Sequence, residues 1–215
     1  MRPFQIVLAV ISISLASPSK SQQLPNEAAS TASLVLAQSA WVRESQYCPT
    51  HVFPSRKTLS YQARNDCKPG RFSQCLSKCI SGEAAACYWL GQELQVGKAD
   101  QAAAETLYQR SCKLGVVSGC TNRAAGMLQE QPASKQAQAC ATSTFAKACE
   151  ADDPWACTMY AMQLTLGQGV KQNKEKALSI LKKSCKYGPE DEACSAGIRL
   201  RKAILDAPKD AVPNR

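Results

Sequence analysis

The 215-residue sequence predicts an all-α fold, a right-handed α-solenoid of paired antiparallel helices cross-linked by disulfides. Three observations predict it. Cysteines recur eight residues apart, as Cys79 and Cys87, Cys112 and Cys120, and Cys149 and Cys157, with Cys185 and Cys194 one residue wider. The leading cysteines of these pairs stand 33, 37 and 36 residues apart, a period in the range of helical-repeat arrays. Three residues after each leading cysteine comes Gly82, Gly115, Asp152 or Gly188, where a helix ends in the left-handed conformation that glycine adopts without a Cβ penalty.

In chain order, Met1-Arg2 is followed by an apolar run from Ile6 to Ala16 and by Ser17-Pro18-Ser19-Lys20-Ser21. This is the pattern of a secretory signal peptide over residues 1–21; the small residues Ser19 and Ser21 permit cleavage before Gln22, and Ser14 and Ala16 offer an alternative. The run falls short of the ~20 residues that a membrane span needs. Without Arg2 and Lys20, 24 basic residues face 17 acidic ones, a net +7, and all twelve cysteines remain. An even cysteine count in an exported chain points to six disulfides and to a secreted or periplasmic location. Zinc sites use tighter clusters, and with one histidine and no Cys-x-x-Cys the sequence offers no metal or cofactor site.

Residues 22–70 read as one helix followed by a disulfide-held loop. The helix runs from Leu24 to Glu44, with Asn26 as its cap, Glu27 at its positive end, and Leu34 and Trp41 on apolar faces. Beyond Cys48, Pro49, Pro54, Asn65-Asp66 and Pro69-Gly70 punctuate the chain.

Residues 71–206 carry the repeats, and 207–215 a polar tail. Eight residues before the leading cysteine stand Ala104, Ala141 and Ala177; four before it stand Tyr108, Phe145 and Leu181. Small and large residues at fixed offsets predict close helix contact beside a filled pocket. Two before it come Arg110, Lys147 and Lys183, which suit a helix C-terminus. After the second cysteine, Leu90-Gly91 and Leu94, or Tyr160-Ala161 and Leu164, form one apolar stripe. Asp100 and Asn173 are N-caps for the helices that follow, while Gln131-Pro132-Ala133-Ser134 replaces the glycine turn in the middle unit.

The turn Gly167-Gln168-Gly169-Val170, the pair Lys176-Ala177 and the alanine and glycine spacing resemble Sel-one-like repeats, relatives of the tetratricopeptide repeat. With a cysteine pair in each repeat, the chain is similar to the Helicobacter cysteine-rich protein family over roughly residues 71–205. That resemblance implies a repeat scaffold, and also penicillin binding or weak β-lactamase activity. Ser179-Ile180-Leu181-Lys182 matches the Ser-x-x-Lys part of a serine β-lactamase, without its Ser-Asp-Asn and Lys-Thr-Gly companions.

Each eight-spaced pair can close near a helix–turn–helix bend, where both cysteines point inward. Cys67 and Cys75 repeat the spacing, which leaves Cys48 with Cys140; pairing of Cys48 with Cys67 or Cys75 stays open. For function, stacked helix pairs present a concave wall that grips proteins or peptides. Tyr88, Trp89, Gln92, Thr158, Met159 and Met162 are its candidate residues. Lys171, Lys174, Lys176, Lys182, Lys183 and Lys186 face only Glu175 and offer an anionic partner a basic surface, mostly on one helix. A disulfide-dependent assembly factor is a further reading.

Overall fold

A computed structural model describes residues 20–55, Tyr61 and residues 65–207. Among them are ten α-helices, two 3-10 segments and no strands. The proposed signal peptide, except its last two residues, and the polar tail beyond Ala207 lie outside the described residues.

The N-terminal portion holds α1 (Lys20–Leu36), α2 (Ser39–Ser45) and a 3-10 turn, Pro49–His51. The single helix expected from Leu24 to Glu44 is therefore two. The backbone leaves helical geometry at Gln38, whose carbonyl then accepts from the N–H groups of Trp41 and Val42 to start α2. This break lets Val35 enter the core while α2 turns onto α5, and it leaves Leu34 55% exposed. Asn26 lies inside α1, six residues after the helix begins at Lys20. Glu27, expected to favour the start of its own helix, accepts instead from the N–H groups of Gly70 (2.7 Å) and Phe72 (2.8 Å) and so holds the start of α3.

The repeat region runs α3 (Phe72–Ile80), α4 (Ala84–Val96), α5 (Gln101–Leu114), α6 (Val117–Glu130), α7 (Lys135–Glu150), α8 (Pro154–Leu166), α9 (Lys174–Ile180) and α10 (Glu192–Asp206). A 3-10 segment, Leu181–Cys185, prolongs α9. Each helix from α3 to α9 packs on the next, α10 packs on α8 and on the 3-10 segment, and α6 also touches α8.

The local causes recur with the period. The residue three after the leading cysteine has positive φ in every unit: Gly82 (100°), Gly115 (117°), Asp152 (65°) and Gly188 (99°). Asp100, Ser134, Asp153 and Asn173 each accept a hydrogen bond from the N–H three residues on, and Asp191 from the N–H of Ala193, so five helices start on a side-chain cap. Ala104, Ala141 and Ala177 are completely buried, and Tyr108, Phe145 and Leu181 fill the interior beside them. Arg110, four residues before the end of α5, also reaches across to α2: its guanidinium lies 4.9 Å from the centre of the Trp41 ring, a cation–π contact.

Six disulfides clip these helices, with Cα atoms 4.2–5.7 Å apart: Cys48–Cys140, Cys67–Cys75, Cys79–Cys87, Cys112–Cys120, Cys149–Cys157 and Cys185–Cys194. Such a set belongs to an oxidising compartment. No described helix is long and apolar enough to cross a membrane.

Candidate functional site

The even-numbered helices carry most of the sequence-predicted binding residues, and their environments differ. On α4, Tyr88 is 3% exposed. Its ring meets Trp89 edge-on at 5.1 Å and Tyr108 at 6.0 Å. Burial pushes both tyrosine phenols well above their ordinary range. Gly91 is the residue that makes room, because a Cβ there would stand 3.0 Å from the Tyr108 ring. The Tyr108 hydroxyl lies 2.5 Å from Gln92 Oε1 and 2.7 Å from Gln95 Oε1, and Asn122 Nδ2 donates to the same Gln92 oxygen at 3.5 Å. Gln92 thus ties α4 to α5 and α6.

On α8, Thr158 is 6% exposed, and its hydroxyl is surrounded by Ser184 Oγ (2.8 Å) and the Ala193 carbonyl (3.2 Å). Met159 packs against the small core cluster of Ala124, Ala141 and Phe145, and Met162 is half-buried. The expectation that all six residues line an open wall is corrected for two of them. Tyr88 and Thr158 are interior because each fills the seam between neighbouring helices. Trp89, Gln92, Met159 and Met162 keep partial exposure.

A polar cluster at the starts of the even-numbered helices was not visible in the sequence. Asp153 caps α8 with no exposed surface. It accepts from Ser118 Oγ at 2.5 Å, Thr121 Oγ1 at 3.4 Å and the Ala156 N–H at 3.1 Å, and burial holds its carboxyl above the usual range despite these bonds. Ser118 in turn accepts the backbone N–H of Tyr61 at 2.9 Å. The Tyr61 hydroxyl stands 2.8 Å from both carboxylate oxygens of Asp191, the cap of α10, and its ring meets Tyr187 edge-on at 5.7 Å. Burial, then the Asp191 carboxylate, drive the Tyr61 phenol far above its ordinary range. Donating to Asp153 and accepting from Tyr61, Ser118 is a fixed anchor for the backbone at Tyr61. The signal that pointed here was partial: Asp152-Asp153-Pro154 reads as a helix boundary, but Tyr61 and Asp191 are 130 residues apart.

Ser179 and Lys182 of the Ser-x-x-Lys stretch lie at the C-terminal end of α9 and in the 3-10 segment after it. The Ser179 hydroxyl donates to the Lys176 carbonyl at 2.8 Å on an exposed surface. Lys182 lies in the 3-10 segment that continues α9 and lines a hollow with Lys183, Lys186, Cys185 and Asp152. Four of the six lysines, Lys174, Lys176, Lys182 and Lys183, lie on α9 and the 3-10 segment that prolongs it. Lys174 and Lys176 belong to α9, where Lys176 Nζ contacts the Tyr160 hydroxyl at 3.1 Å, and Lys171 precedes it. Lys182, Lys183 and Lys186 ring the separate hollow of about 280 Å³, where Lys186 Nζ lies 3.8 Å from the Asp152 carboxylate. His51 is an exposed residue of the 3-10 turn. Among the described residues no group of three or more histidine, cysteine or acidic side chains is placed to hold a metal.

No protein-family model, no curated protein and no solved structure matches this chain.

Proposed function

We propose that the chain is an exported, disulfide-clipped α-solenoid of Sel-one-like, tetratricopeptide-like repeats that binds a protein or peptide. The direct contacts of α6 with α8 and of α8 with α10 support an inner layer of even-numbered helices, the arrangement expected of a right-handed superhelix. The positive-φ residue at one offset from every leading cysteine supports the repeat reading. Residues 1–21 serve as the cleaved export signal in this account.

One observation carries the binding reading. Tyr61 is held through its backbone N–H by Ser118 of α6 and through its side-chain tip by the cap of α10. The array thus holds a residue far away in sequence by the chemistry that an external peptide offers: a main-chain donor read by a fixed acceptor and a side-chain hydroxyl read by a carboxylate. Trp89, Met159 and Met162, apolar and partly exposed on α4 and α8, provide the contact surface, with Gln92 as its polar member. The lysine clusters at the C-terminal end favour an anionic region in the partner.

Affinity capture from exported proteins tests this, comparing the native chain with a Trp89→Ala/Met162→Ala variant of unchanged helical content. The proposal expects a polypeptide retained by the native chain and lost by the variant. Equal retention by both, or nitrocefin turnover that disappears in Ser179→Ala, contradicts it.

A further inference from the structure

Among the six disulfides, Cys48–Cys140 is the one in which neither cysteine is buried; each of the others has at least one cysteine no more than 4% exposed. Both residues line an open hollow of about 520 Å³, bordered by Gln46, Tyr47, His51, Gln131 and Gln136. The surroundings of the two sulfurs are unequal. Thr50 Oγ1 donates to Cys48 Sγ at 3.2 Å. Thr144 Oγ1 lies 3.9 Å from the same sulfur and donates to the Cys140 carbonyl at 2.9 Å. Cys140 Sγ has the thioether of Met127 beside it at 3.7 Å.

Exchange with a thiol is governed by access, by which sulfur is attacked and by how well the departing sulfur bears negative charge. Here access singles out one bond, and the Thr50 hydroxyl singles out Cys48 as the sulfur on which charge is stabilised. We propose that Cys48–Cys140 is a thiol–disulfide exchange site for a peptide-borne thiol, and that the incoming thiolate attacks Cys140.

In that step the thiolate forms a bond to Cys140 Sγ, the S–S bond breaks, and its electron pair leaves on Cys48. A mixed disulfide on Cys140 and a Cys48 thiolate result: one thiolate is consumed and one released, with no other oxidant or reductant. The thiolate keeps the Thr50 hydrogen bond until it attacks Cys140 Sγ and expels the incoming thiol, or takes a proton from water. The side-chain amides of Gln46, Gln131 and Gln136 suit the peptide groups of such a thiol. The other five disulfides keep the helix pairs clipped, so opening this one frees the Pro49–His51 turn from α7 while α2 stays on α5 and the repeats persist.

The full oxidised chain, incubated with glutathione at about pH 8 so that the thiolate is populated, quenched at intervals with iodoacetamide and digested without reduction, tests the proposal by mass spectrometry. The expected first product carries glutathione on Cys140 and carbamidomethyl on Cys48, formed roughly tenfold faster than an adduct at any other cysteine. Thr50→Val, with its helical content checked by circular dichroism, slows that product about fivefold. Glutathione found first on Cys48, first opening of a buried pair, absence of the Cys140 adduct, or an unchanged rate in Thr50→Val overturns it.

Discussion

Glu105 of α5 and Arg123 of α6 form an ion pair 3.0 Å long between side chains that are 3% and 5% exposed. Arg123 also donates from Nε to the Ser45 carbonyl at 2.8 Å and meets Glu130 at 2.9 Å, so one guanidinium joins α2, α5 and α6. Removing one partner of a buried pair leaves the other charged and unsolvated, which costs about 3–5 kcal/mol. Arg123→Met is expected to destabilise the chain by that amount at about pH 8, where the carboxylate is ionised. Urea unfolding of the oxidised protein checks it; a loss below about 1 kcal/mol, the scale of a surface pair, contradicts it.

The same pair makes stability depend on pH. Burial outweighs the attraction of Arg123, and the Glu105 carboxyl is pushed up to about 7 from an ordinary 4.5. The folded state therefore holds a proton that the unfolded chain releases near pH 4.5. This contribution is fully present below about pH 4.5 and lost as pH rises through about 7, on the order of 3 kcal/mol in all. Buried Asp153, raised for the same leading reason, acts with the same sign. Unfolding free energies measured between these limits should fall with pH, and Glu105→Gln should flatten the slope.

Gly119 allows α5 and α6 to approach closely. A Cβ at this position would collide with Ser111 Oγ and stand 2.9 Å from the Tyr108 carbonyl. Gly→Ala inside an unobstructed helix stabilises by up to about 1 kcal/mol. Gly119→Ala is expected to do the opposite, with a loss of about 1–3 kcal/mol from overpacking. The sign of the change in thermal midpoint decides between the two.

Asp152 occupies with φ 65° the position that is glycine in the other three units. The left-handed conformation costs a residue with a Cβ about 1 kcal/mol. Its ion pair with Lys186 is 3.8 Å long between half-exposed side chains, which returns little. Asp152→Gly should therefore stabilise the chain by about 0.5–1 kcal/mol, while Gly115→Ala should destabilise it by a similar amount or more. Paired thermal melts check both signs.

What could be read from the sequence was whatever repeats locally. The offsets of Gly82, Ala104 and Tyr108 from their cysteines depend on a helix and one turn, so periodicity alone reveals them. Asp100 and Asn173 are caps because of their immediate neighbours. What was missed depends on approach in space. Glu27 reaches Phe72 across 45 residues, Arg123 reaches Ser45 across 78, and Tyr61 reaches Asp191 across 130. No spacing rule encodes these partners. The candidate wall was misread at Tyr88 and Thr158 for a related reason: a helix position facing a neighbouring repeat and one facing solvent carry similar residues, and only packing separates them. The break at Gln38 escaped notice because neither glycine nor proline marks it; the core demands it.

Peptide mapping of the unreduced protein by mass spectrometry tests the central claim, that staples one helical turn either side of each bend clip successive helix pairs in register. The account predicts five short links, including Cys112–Cys120 and Cys149–Cys157, and a single long one, Cys48–Cys140. A link from Cys120 to Cys149, or from any repeat cysteine to one in a different pair, would contradict it.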